Sequence, residues 1–172
     1  MKSPLLTALV LGFLSSGALA DDYTATIKKQ AQACADAMIA KNFEAMADTT
    51  HPRVLEAMGG REQMLTTVKA AVAKIEEQGF KITSSEIGTP EDVKKIGAMT
   101  VSIVPDRIVI KVPGGKLTSE SHLLGISEDE GKTFKFIDIG PIKKEQLEQI
   151  FPEFAGQLTL PERKQPVMEK DP

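Results

Sequence analysis

Cysteine occurs once in this chain of 172 residues, tryptophan never and histidine twice; the aromatic rings otherwise amount to one Tyr and seven Phe. Each scarcity excludes something. A lone Cys34 cannot close an intrachain disulfide, and its place among Ile27, Ala31 and Met38 on one side of an expected helix marks it as a small buried hydrophobe, with a reactive thiol or an intermolecular bridge as the alternative. Two distant histidines and one cysteine do not make a zinc site of the usual spacing, so no metal and no cofactor are expected. Basic residues occur only as short pairs, Lys28-Lys29, Lys94-Lys95 and Lys143-Lys144, in a chain of net charge −3. That pattern, with so few aromatics, argues against a nucleic-acid partner. Neither a glycine-rich phosphate loop nor a G-x-S-x-G elbow is present.

The amino terminus is where the chain is most explicit. Lys2, an apolar run from Leu5 to Leu14 broken by Thr7 and Gly12, and Ala18-Leu19-Ala20 before Asp21-Asp22 read as a signal peptide over residues 1–20, cleaved after Ala20. The run is shorter than the roughly 20 residues that span a bilayer, so stable membrane insertion is not expected. A periplasmic or secreted protein follows. The mature chain of about 150 residues is of single-domain size, and residues 21–160 are read as that one domain.

Helical spacing places Tyr23, Ile27, Ala31, Cys34 and Met38 on one face of a first helix over 22–40. Asn42 is a cap for a second, Phe43–Thr49, which His51-Pro52 ends; Arg53–Met58 reads as a brief strand. After Gly59-Gly60 a third helix runs from Arg61 to Gln78 with a stripe of Met64, Leu65, Val68, Ala71, Val72 and Ile75, and Gly79 stops it. The period then drops to two. Phe80–Ser85, Met99–Ile103, Ile108–Val112, Leu117–Ile126 and Thr133–Ile139 alternate as strands. Pro90–Asp92, Pro105-Asp106, Pro113-Gly114-Gly115 and Glu128–Gly131 punctuate them. Short connections between successive strands give an antiparallel meander. A last helix, Lys143–Ile150, precedes Phe154, Leu158 and Leu160, which are expected to pack back on the body. Residues 161–172, with three prolines and many charges, read as a disordered tail. Helices followed by a sheet make an α+β fold, with N-terminal helices on a curved meander sheet.

The order helix, short helix, short strand, long helix, bent meander resembles the nuclear-transport-factor-like, ketosteroid-isomerase-like cone fold. Asn42-Phe43-Glu44-Ala45-Met46 resembles that superfamily's second helix, and Gly59-Gly60-Arg61-Glu62 before Met64-Leu65 resembles the start of its third. A cystatin-like roll, a sheet around one helix, is the other architecture compatible with the pattern. The resemblance implies a pocket between the third helix and the sheet for a small apolar ligand, with Met64, Val68, Val72, Met99 and Phe136 as candidates for its wall; plain core is the alternative for each. It also implies a homodimer through the sheet as one form of assembly. Some members are isomerases or lyases and many are non-catalytic binders, so three functions stand: a ligand- or partner-binding domain, a cofactor-free isomerase or lyase, and a homodimeric interaction module.

Four residues are candidates for acid–base chemistry. His51 is either a general base at the pocket mouth or a cap on the second helix's C-terminus. Glu120 and His122 share a strand face at i, i+2, where a carboxylate orients and charges an imidazole; an exposed pair on the outer face is the alternative. Asp138 follows Phe134 and Phe136 at period two, which makes it either an interior acid or a turn residue before Gly140-Pro141. Ser127-x-Asp129-x-Gly131-x-Thr133-Phe134 matches one copy of the Asp-box pattern that propeller glycosidases repeat. A single copy reads as a hairpin turn held by the aspartate.

Overall fold

Two long strands set the frame on which everything else is mounted. The computed structural model describes residues 17–171, with side chains from Tyr23 onward; most of the expected leader, residues 1–16, lies outside the described residues. In chain order the elements are α1 (Gly17–Ile39), α2 (Phe43–Thr49), α3 (Pro52–Ala57), α4 (Arg61–Glu77), β1 (Lys81–Ile87), β2 (Glu91–Ile96), β3 (Met99–Val112), β4 (Gly115–Ser127), β5 (Lys135–Asp138), α5 (Lys144–Ile150), a 3-10 turn (Pro152–Phe154) and β6 (Val167–Lys170). Helices packed on a curved antiparallel sheet make this an α+β fold.

β3 and β4 form one long hairpin, paired from Thr100↔Ser127 to Val112↔Gly115. Each flank of that hairpin carries two short strands end to end. β2 pairs with the first part of β3 and β1 with the second; β5 pairs with the last part of β4 and β6 with the first. The sheet thus has a proximal half (β2, early β3, late β4, β5) and a distal half (β1, late β3, early β4, β6). Directly opposed residues share a face, so Val101, Ile103, Leu124, Ile126 and Ile137 lie on one side of the proximal half. Val104, Leu123 and Phe136 lie on the other.

Both proximal faces are covered. α5 and the 3-10 turn bring Leu147, Phe151 and Phe154 onto Val101, Ile103, Leu124 and Ile126. Phe151 and Phe154 stack at 4.8 Å. α1 presents Ile27, Ala31 and Ala35, at i, i+4 and i+8, to Val104, Leu123, Phe134 and Phe136. A third cluster joins Ala37 of α1 to Met46 and Ala47 of α2 and Met64 of α4. Each fully buried aliphatic or aromatic side chain contributes about 1.5–3 kcal/mol, so the proximal half carries most of the fold's stability.

Several expectations are corrected. Residues 53–58 are not a strand. Pro52 occupies the first turn of α3, where its missing N–H costs nothing, and His51 caps that helix. The stretch after Pro90 is not only a turn: Glu91–Ile96 is an edge strand. Pro105 does not interrupt β3. In a strand the N and O of one residue point to the same edge, and Pro105 O accepts from Gly88 N–H at 2.8 Å. The absent donor therefore faces the gap between β1 and β2, where no ladder partner is lost. The tail is ordered over Val167–Lys170, which pair with Thr118–Gly115, while 161–166 have no regular structure.

The largest correction concerns the third expected helix. α4 packs against α2 and α3, and among the N-terminal helices α1 is the one that lies on the sheet. Met64 is the one residue of α4 that is buried; Val68 is half-buried against the helical cluster. Surface ion pairs complete the attachment, Lys69–Glu44 at 2.8 Å and Arg61–Asp48 at 2.7 Å.

Candidate functional site

Of the four acid–base candidates, three gather around one stretch of β4, Glu120-Ser121-His122. Strand alternation sends Glu120 and His122 to one face and Ser121 to the other. Two surface clefts share this stretch as a wall. One, of about 240 Å³, lies between it, Ile139, Lys143, Leu160 and Arg163. The other, of about 480 Å³, is bounded by Lys28, Glu86, Asp106 and Arg107.

The groups at this wall are engaged in local structure. Glu120 is exposed, and its carboxylate accepts from Lys164 Nζ at 2.6 Å, which holds it below the usual glutamate range. Its partner is thus the lysine of the C-terminal segment rather than His122, and the expected acid–imidazole pair is not formed. Asp138 is exposed rather than interior. Its Oδ1 accepts from Ser121 Oγ at 3.0 Å and from Gly140 N–H at 2.9 Å, which closes the turn after β5.

The buried carboxylate of this region is Asp106, which the sequence reading did not single out. It is 7 % exposed, and its Oδ1 accepts from Ser85 Oγ at 2.5 Å. Burial pushes its carboxyl above the ordinary aspartate range; the Ser85 hydrogen bond opposes this and the charge of Asp138 reinforces it. Cys34, on α1, is half-buried, and desolvation raises its thiol as well, with the charge of Asp106 adding to the shift. The signal for Asp106 was available: at period two from Ser102 and Val104, it falls on the face that α1 covers.

His51 stands apart from both clefts. Its Nδ1 accepts from Arg53 N–H at 3.2 Å, so it caps the start of α3 rather than the end of α2. The ring is 2 % exposed and meets Phe151 edge-on at 4.9 Å. Burial lowers its pKa against the pull of Glu128, whose Oε1 is 3.7 Å from Nε2. Capping and burial against Phe151 thus define its place in the fold.

The five expected wall residues do not converge. Met64 and Val68 belong to the helical cluster, Met99 to the α5 side of the sheet and Phe136 to the α1 side, while Val72 is half-buried in α4 outside all three clusters. None of them lines either cleft. Among the described residues every buried side-chain nitrogen or oxygen has a hydrogen-bond partner, and no group of three or more His, Cys, Asp or Glu is placed to hold a metal ion. No described helix is long and apolar enough to cross a membrane.

The Asp-box turn has the expected construction. Ser127 Oγ donates to Asp129 Oδ1 at 2.7 Å and accepts from Gly131 N–H at 2.9 Å; Thr133 N–H donates to Asp129 Oδ1 at 2.8 Å. The bonds from Thr133 N–H and Ser127 Oγ pull Asp129 down to about 2. Gly131 has φ +86° and lies under the ring of Tyr23, so the turn also docks the start of α1. Phe134 N–H donates to Gln30 Oε1 at 2.7 Å.

Where the proximal half ends, the apolar surface does not. Ile82, Ile110, Leu117 and Met168 are opposed across β1, β3, β4 and β6 and so form one row on the face that α1 covers farther along. The first three are half-buried and Met168 is 45 % exposed. Comparison with known proteins finds no matching family model, no matching curated protein and no matching solved structure.

Proposed function

We propose that this chain is an exported, non-catalytic module that binds a protein partner through the distal half of its sheet. One contrast carries the reading: side chains fill both faces of the proximal half, whereas the distal row Ile82–Ile110–Leu117–Met168 stays partly open. A contiguous open apolar surface on an otherwise packed protein marks an interaction site. The acid–base candidates support the same conclusion, because three of them are already engaged in holding the fold. His51 caps a helix, Glu120 pairs with Lys164 and Asp138 closes a turn. Catalysis by an isomerase or lyase calls instead for convergent polar groups in a water-excluding pocket.

Native mass spectrometry of the mature protein isolated from its own compartment tests this. The expected species carries a second polypeptide, and Met168→Glu removes it. A monomer carrying a small apolar molecule, unchanged by Met168→Glu, would overturn the reading in favour of a ligand pocket.

A further inference from the structure

We propose that the partner is a second copy of this chain, and that the two copies exchange their C-terminal strands, each β6 seating on the β4 edge of the other. The inference rests on the partner-binding reading and names the partner. Three observations support it.

First, β6 is held almost wholly by main chain. All four of its residues are exposed, Val167 at 62 % and Met168 at 45 %. Besides its ladder with β4 it has the surface pair Lys116–Glu169 at 3.1 Å and the bond from Asp171 N–H to Gly114 O at 3.1 Å. A backbone ladder is indifferent to which copy supplies the strand, so exchange keeps every one of these contacts.

Second, the seat is shaped for this strand. A Cβ on Gly115 would collide with the backbone of Glu169, so the first residue of β4 is one of the few that admits β6 at this approach. The ladder then sets Thr118 opposite Val167 and Leu117 opposite Met168. An identical segment from another copy has the same register and the same charge complement, Glu169 against Lys116.

Third, the connection can open. Residues 161–166 have no regular structure, and 162–166 are exposed. Pro161 and Pro166 bias their preceding residues to extended backbone. Six extended residues reach about 20 Å, enough to leave one sheet edge for the adjacent edge of a second molecule. Within the linker, Lys164–Glu120 is a surface pair of the kind that screening weakens. Exchange keeps the β6 ladder but gives up linker contacts such as Lys164–Glu120, so net association is driven by contact between the two distal apolar rows.

Cysteine pairing across β4 and β6 tests the exchange. In a Cys34→Ala background, a Thr118→Cys chain and a Val167→Cys chain of different mass are refolded together at about 0.1 mM, below the millimolar effective concentration of a short tether, then oxidised. A Glu120→Cys chain with Val167→Cys is the out-of-register control. The double variant Thr118→Cys/Val167→Cys reports the seating of β6 within whichever molecule supplies it. Exchange predicts a mixed Thr118→Cys–Val167→Cys dimer at about tenfold or more over the control. A mixture no higher than the control, with the double variant linking as a monomer, would overturn the exchange. The Met168→Glu comparison by native mass spectrometry judges the partner-binding reading independently.

Discussion

The proximal and distal halves of the sheet share two continuous strands, yet they differ in nearly every physical respect. Around Val101, Val104 and Leu124, each 0 % exposed, helices and the 3-10 turn close both faces. Around Ile110 and Leu117 the same strands run on with mostly half-buried side chains, buried Val112 and the α1-covered Ile87 of β1 excepted, and end at a four-residue edge strand with no buried residue. Hydrogen bonding continues along the whole hairpin, so the ladder alone does not decide stability; coverage does. One end is a scaffold, and the other is surface held in shape by that scaffold.

Substitutions break this comparison in graded fashion. The largest effect belongs to Phe151→Ala, which empties a fully buried ring between His51 and Phe154; chemical denaturation should show a loss of about 3–5 kcal/mol. Leu117→Ala, in the half-buried distal row, should cost about 1 kcal/mol. Equal losses would erase the distinction. Gly131→Ala comes next, since it strains a left-handed backbone and meets the Tyr23 ring; a loss of order 1–3 kcal/mol is expected from the same measurement.

His51→Asn sharpens the comparison through pH. Asn is as good a cap, but it leaves unfilled part of the volume the buried ring occupies against Phe151, so stability should fall by a pH-independent amount on the order of 1–2 kcal/mol. The wild type keeps its full His51 contribution above the ordinary histidine value of about 6.5. Because burial lowers the folded-state pKa, the unfolded chain takes up the proton first as pH falls through that value, and stability declines. Denaturation between pH 7.5 and 5.5 (about one unit either side of the unperturbed imidazole) should show that decline in the wild type and its absence in His51→Asn. The smallest effect on global stability belongs to Gly115→Ala, which pushes β6 from its seat while leaving the proximal core untouched. Its signature is loss of amide protection at Val167–Lys170 with an unchanged denaturation midpoint.

Where a segment's own residues decide its structure, the sequence is legible. Asn42 caps α2, Gly79 follows α4, alternation marks β3 and β4, and Ser127, Asp129 and Gly131 build their turn alone. Two short elements escape a reading by pattern because six residues carry too little period. Before α3 the His-Pro pair reads as a stop, although it serves as cap and first turn. In β2 the charges of an edge strand hide the alternation of one. The helix-to-sheet assignment fails for a different reason. The stripe of α4 states that a face is apolar, not what meets it; α1, with small Ala31 and Ala35, approaches the sheet closely while α4 rests on α2. The expected ligand wall depends on that assignment and disperses with it. Asp138 and Asp106 exchange roles because the strand carrying Asp138 ends at that residue, in a turn, whereas Asp106 continues under α1.

Hydrogen exchange of the protein at two concentrations, below and above association, tests the two-halves account most directly. Amides of Val101–Val104 and Leu123–Ile126 should open only with global unfolding and be indifferent to concentration. Those of Ile108–Val112, Lys116–Ser119 and Val167–Lys170 should open locally when dilute and become protected when concentrated. Uniform protection along β3 and β4, or a concentration response confined to α4, would contradict the account.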